Sequence, residues 1–103
     1  MSEFVTVATR DEVPPGTFIT FSIDYEFINL FNVDGVFYAT ADRCSHAEVA
    51  LSGGEYKDGV IECPKHGARF DVRTGAVLAP PATQAIRCYK VRVVGDDIQV
   101  EVD

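Results

Sequence analysis

Histidine and cysteine are scarce in this chain: two of the first and three of the second among 103 residues. Three thiols cannot all pair within one chain, which fits a reducing, cytoplasmic compartment. Basic residues are also few, nine against sixteen acidic, for a net charge of −7. That shortage argues against nucleic acid as a partner, because phosphate binding needs a basic face. The acidity can steer a positively charged protein, or it can simply keep the chain soluble. No apolar run approaches the ~18 residues that suggest a membrane span. The opening "MSEFVTVATRDE" has neither the basic patch nor the apolar run of a signal peptide. The expectation is a cytoplasmic protein that does not enter the membrane.

Helical periodicity is missing as well; only "HAEVAL" could form a single turn. What is present instead is a series of short segments rich in Val, Ile, Phe and Tyr, separated by turn signals. A Pro-Pro-Gly turn leads into "TFITFS". "EFINLFNVDGVFYAT" reads as a hairpin around Asp34-Gly35, and "GEYKDGVIEC" repeats the device at Asp58-Gly59. At the end, "CYKVRVVGDDIQVEV" alternates around Gly95-Asp96-Asp97, with Tyr89, Val91 and Val93 on one face and Ile98, Val100 and Val102 on another. The expected class is all-β, a small antiparallel sandwich or barrel in one domain. Phe18, Phe21, Phe31 and Phe37 are core candidates.

Against this background the scarce soft ligands are concentrated. "RCSHAE" places Cys44 and His46 two apart, and "CPKHGARF" places Cys63 and His66 three apart. Both pairs follow the ends of expected hairpin strands, so both loops can emerge at one end of a sheet. Two thiolates and two imidazoles complete a tetrahedral zinc site. They equally suit a two-iron, two-sulfide cluster with histidines replacing cysteines on one iron. The competing reading is a set of unrelated core thiols and surface histidines. Spacing alone leaves zinc and cluster open. Gly53-Gly54, Pro64, Gly67 and the later "PP" let backbone N–H groups approach a buried object, which favours a cluster with sulfide acceptors.

"CSHAEVALSGG", "IECPKHGARFDVRTG" and "LAPP" resemble the two cluster-binding boxes and the proline-rich cover loop of Rieske-type [2Fe–2S] proteins. The resemblance is nearest to the small Rieske ferredoxins of bacterial aromatic-ring dioxygenase systems, those acting on biphenyl or carbazole among them. It implies one domain over residues 1–103, with a cluster-binding subdomain over about 42–82. It implies that Cys44 and Cys63 bind one iron of the cluster and His46 and His66 the other. It implies an electron carrier rather than an enzyme, in the breakdown of aromatic hydrocarbons. A flavoprotein reductase, NAD(P)H-dependent, would supply the electron and a terminal Rieske oxygenase would accept it. A monomer is the default.

The departures from the family pattern also carry expectations. Higher-potential Rieske proteins have an extra cysteine in each box, joined as a disulfide; Val49 and Lys65 stand at those positions here. They also carry a serine and a tyrosine that bond to cluster sulfurs, where this chain has Ala68 and Phe70. Fewer donors to the sulfurs make reduction harder, so the expected potential is low, about −150 mV. In the oxidised cluster the formal charges of iron, sulfide, thiolate and neutral imidazole cancel, and the added electron favours the iron held by histidines. An imidazole on ferric iron also loses its outer proton more readily, so the potential should fall with rising pH.

Around the ligand segments Arg43, Lys65, Arg69 and Arg73 face only Glu48, Glu62 and Asp71, while the rest of the chain holds five basic and thirteen acidic residues. The cluster end is therefore expected to be less acidic than the body and to serve in docking, unless Arg69 or Arg73 pairs with a neighbouring carboxylate. Cys88 is left over and carries no assigned role. An oxygenase is excluded because its mononuclear iron needs two further histidines and a carboxylate. No nucleotide or flavin fingerprint points to a reductase. The remaining alternative is a zinc module that binds another protein.

Overall fold

In the computed structural model, residues 2–44, 49–65 and 67–102 are described. The described residues form eleven strands in three antiparallel sheets and contain no α-helix. The first sheet is β1 (Glu3–Thr9), β11 (Asp97–Val102) and β10 (Val91–Val94), in that order. The second runs β2 (Phe18–Ile23), β3 (Glu26–Val33), β4 (Val36–Ala41) and β9 (Cys88–Tyr89). The third is a smaller meander of β5 (Glu55–Lys57), β6 (Val60–Glu62), β7 (Arg69–Asp71) and β8 (Val77–Ala79). Among the described residues the helical pieces are 3₁₀ turns at Arg10–Glu12 and Leu51–Gly53.

The expected hairpins form where the turn chemistry put them. Asp34 and Gly35 have φ of 51° and 91°, and Asp58 and Gly59 have 52° and 79°. These left-handed pairs match the twist of the strands they join. A further hairpin joins β2 to β3 through Asp24 and Tyr25, with φ of 50° and 69°. Tyr25 is fully exposed at that tip. An aromatic residue is an unusual occupant of positive φ, which is why no turn signal marks it in the sequence.

Strand β3 is the hinge of the architecture. Every residue from Ile28 to Val33 is buried, because both faces of the strand are covered. Ile28 and Leu30 face a core shared with Ala8, Ile98 and Val100 of the first sheet. Phe31 and Val33 face a second core shared with Leu51, Ile61, Phe70 and Val72 of the small sheet and its loops. One strand thus fixes the small sheet against the sandwich.

Tyr56 on β5 reinforces that joint. Its hydroxyl donates to the Asn32 carbonyl at 2.9 Å, and its ring packs on Phe31 at 4.8 Å and edge-on to Phe18 at 5.9 Å. Burial pushes the Tyr56 hydroxyl pKa up, with the Arg73 guanidinium partly opposing the rise.

Candidate metal centre

The two cysteines that open the ligand motifs lie in the second core. Cys44 and Cys63 are 2% and 1% exposed, and both belong to the cluster that contains Ala68, Phe70 and Ala82. Cysteines nineteen positions apart therefore reach one apolar compartment from different sheets. His46 and His66 lie outside the described residues, as does the start of the "HAEVAL" segment.

The two loops share one construction. The Cys44 N–H donates to the Val49 carbonyl at 3.0 Å, five residues on. The Cys63 N–H donates to the Ala68 carbonyl at 2.7 Å, again five residues on. Each cysteine is thus the first residue of a closed loop, with its own amide sealing the base. Below Cys44 the closure continues as a ladder: Arg43 bridges Ala50, and the Leu51 N–H reaches the Asp42 carbonyl at 2.9 Å. In the second loop Gly67 takes φ of 75°, and its N–H donates to the Cys63 carbonyl at 3.2 Å. A side chain at that φ would be strained, so glycine is required for the turn after His66.

The loops are also packed on each other. A Cβ at Gly54 would overlap the Glu62 carbonyl and stand 3.2 Å from Pro64 Cδ. The segment leaving the first loop therefore crosses directly over the residues on either side of Cys63. Behind the second loop, Gly75 lies against the Ile86 carbonyl and the Cys88 sulfur. Residue Cys88 reaches solvent, but its sulfur is partly screened there; that burial, and then the Asp71 carboxylate, raise its thiol pKa.

A buried polar network supports the first loop from beneath. Asp42 is 7% exposed, and its Oδ1 accepts from Asn29 Nδ2 at 2.8 Å and from the Ser52 N–H at 2.7 Å. Its Oδ2 accepts from the Ser52 hydroxyl at 2.9 Å. Asn29 in turn accepts from the Thr20 hydroxyl at 2.6 Å. No buried side-chain N or O among the described residues is left without a partner. Sequence reasoning missed Asp42, because an aspartate at a strand end reads as an ordinary solvated turn residue.

Charges near the loops are mostly paired. Arg69 Nε meets Glu62 at 2.8 Å, and Arg73 meets Asp71 at 3.7 Å. Lys65 is exposed and forms no ion pair among the described residues.

Over residues 3–90 the chain matches the family described as the Rieske [2Fe-2S] domain. The chain belongs to that family. The Rieske domain here is 44% identical to the biphenyl dioxygenase ferredoxin subunit of Pseudomonas sp. (strain KKS102), over 95% of this chain and 91% of that relative. It superposes on the ferredoxin of carbazole 1,9a-dioxygenase from Nocardioides aromaticivorans IC177 with a TM-score of 0.89 at 40% identity, covering 94% and 95% of the two chains. A second solved structure is a complex of reduced oxygenase and oxidized ferredoxin in carbazole 1,9a-dioxygenase. The matched chain has a TM-score of 0.89 at 32% identity, with 94% and 91% covered. One [2Fe–2S] cluster is the cofactor of this family. The donor chemistry fits it: two thiols, buried together in an apolar compartment, each on a loop closed by its own amide. The described residues bring together no set of three or more His, Cys, Asp and Glu, and both histidines lie outside them.

Proposed function

We propose that this chain is the electron-carrying ferredoxin of an aromatic-ring dioxygenase system, taking one electron from a reductase and passing it to a terminal oxygenase. The observation that carries this reading is the convergence of Cys44 and Cys63 in one buried compartment, on loops whose sequences are the two Rieske boxes. In this reading Cys44 and Cys63 hold one iron and His46 and His66 the other, and the cluster-binding subdomain spans about residues 42–82 of a single domain. A bound cluster supplies reversible one-electron redox chemistry. The protein's own contribution is to exclude water from the thiolates and to fix their separation through the crossing of Gly54 over Glu62.

The likeness to biphenyl and carbazole dioxygenase ferredoxins supports the substrate system, and the solved oxygenase–ferredoxin complex supports the acceptor. The donor in this reading is an NAD(P)H-dependent flavoprotein reductase, the partner that the likeness to dioxygenase ferredoxins implies. No helix among the described residues is long and apolar enough to cross a membrane. Docking is assigned to the loop end, with Lys65 as its exposed cation, because Arg69 and Arg73 are engaged by Glu62 and Asp71.

Stopped-flow mixing of the reduced chain with an oxidised terminal oxygenase of the biphenyl or carbazole class tests the assignment. Reoxidation of the chain with matching reduction of the oxygenase is the expected result. A colourless, zinc-containing protein with no redox signal would reject it in favour of a structural module.

A further inference from the structure

Asp42 is the one carboxylate the structure buries among the described residues. It stands two positions before Cys44. Burial alternates along this stretch: Asp42 inside, Arg43 outside, Cys44 inside. Asp42 sits at the bend that follows β4 and Arg43 makes the single bridge to Ala50, so Asp42 and Cys44 are both inside, with Cα atoms at most about 7 Å apart. Three donors point at the carboxylate, Asn29 Nδ2, the Ser52 N–H and the Ser52 hydroxyl, at 2.7–2.9 Å. All three are neutral, and no lysine or arginine among the described residues pairs with Asp42. Both carboxylate oxygens therefore serve as acceptors.

The hydrogen-bonding task at this position does not itself require a charge. An asparagine could accept the Asn29 and Ser52 N–H bonds at Oδ1 and donate its own N–H to the Ser52 hydroxyl. What aspartate adds over asparagine is a negative charge in a poorly screened interior, beside a thiolate ligand of the proposed cluster. Such a charge opposes the arrival of an electron, and salt screens a buried charge far less than a surface one.

We propose that Asp42 is a potential-setting and positioning residue: held at the root of the Cys44 loop by Asn29 and Ser52, its charge lowers the reduction potential of the cluster. This rests on the ferredoxin reading above. It is independent of the missing hydroxyls at positions 68 and 70, which act through hydrogen bonds to sulfur rather than through a net charge.

Protein-film voltammetry on the cluster-loaded chain tests it. A reversible one-electron wave in the unsubstituted protein is the condition set by the ferredoxin reading; its absence would reject that reading itself. Asp42→Asn, at unchanged iron content and visible spectrum, should shift the midpoint upward. Ser52→Ala keeps the charge but removes a dipole that partly compensates it, so its midpoint should shift downward. A loaded Asp42→Asn protein with an unmoved or lowered midpoint overturns the proposal. Should that variant fail to assemble, Ser52→Ala decides: a downward shift supports the proposal, and an unmoved or raised midpoint overturns it. A merely structural clamp would not produce shifts of opposite sign in the two variants.

Discussion

Gly54 crosses the Glu62 carbonyl with no room for a side chain between them. The contact joins the exit of the first ligand loop to the entrance of the second, one residue before Cys63. The obstacle is backbone, which cannot rotate aside as a flexible side chain would. Gly54→Ala should therefore cost about 3 kcal/mol of stability and lower cluster content. Gly53→Ala is the control, since its Cβ would meet only Pro64 Cγ at an ordinary 3.6 Å. Thermal unfolding and iron analysis of the two variants, side by side, check the difference.

Tyr56 ties the small sheet to β3, and its raised pKa gives that tie a pH dependence. The folded state favours the neutral phenol, so the contribution is fully present below the ordinary tyrosine value of about 10. It is lost as the pH rises through the higher folded value. Unfolding midpoints measured from pH 8 to 12 should fall more steeply for the unsubstituted protein than for Tyr56→Phe. At neutral pH the same substitution should cost only about 1 kcal/mol. The Asn32 carbonyl keeps its bond from the Gly16 N–H.

Ala68 and Phe70 are fully buried in the same core as Cys44 and Cys63, and neither brings a hydroxyl there. With fewer donors to the cluster sulfurs, the midpoint potential is expected near the low end of the Rieske range, about −150 mV. Ala68→Ser and Phe70→Tyr should each raise it, and the double variant should raise it further. Voltammetry giving a clearly positive potential in the unsubstituted protein would count against this account of its tuning.

Lys65 is exposed on the second ligand loop, while the neighbouring Arg69 is engaged by Glu62. Reversing its charge should weaken docking without touching the metal site. Lys65→Glu is expected to slow electron transfer to the oxygenase about tenfold at low ionic strength and less at high salt. Its visible and EPR spectra should match those of the unsubstituted protein. Equal transfer rates at low salt would remove Lys65 from the docking surface.

Much of this architecture is legible in the chain itself. Asp34-Gly35 and Asp58-Gly59 mark hairpins because few other pairs accept positive φ twice in succession. The Ile98, Val100 and Val102 face is buried as its alternation requires. The Asp24-Tyr25 hairpin was hidden because an aromatic residue occupies a left-handed position. The division into three sheets was hidden too, since β5 to β9 are only two or three residues long and carry little period. At the site, the paired motifs singled out Cys44 and Cys63, and the structure places both in one hydrophobic cluster without showing what they bind. The support from Asp42, Asn29 and Ser52 was not readable, because it depends on which surfaces β3 and the Leu51–Gly53 turn bring together. Nor could sequence decide whether Arg69 and Arg73 were available, a question of side-chain geometry answered by their carboxylate partners.

The most direct test is quantitative iron and acid-labile sulfide analysis of the anaerobically purified protein, combined with EPR after one-electron reduction. The account predicts two irons and two sulfides per chain and a reduced-state signal that vanishes on reoxidation, with loss of both in Cys44→Ser and Cys63→Ser. Zinc in place of iron, or iron without sulfide, would contradict it.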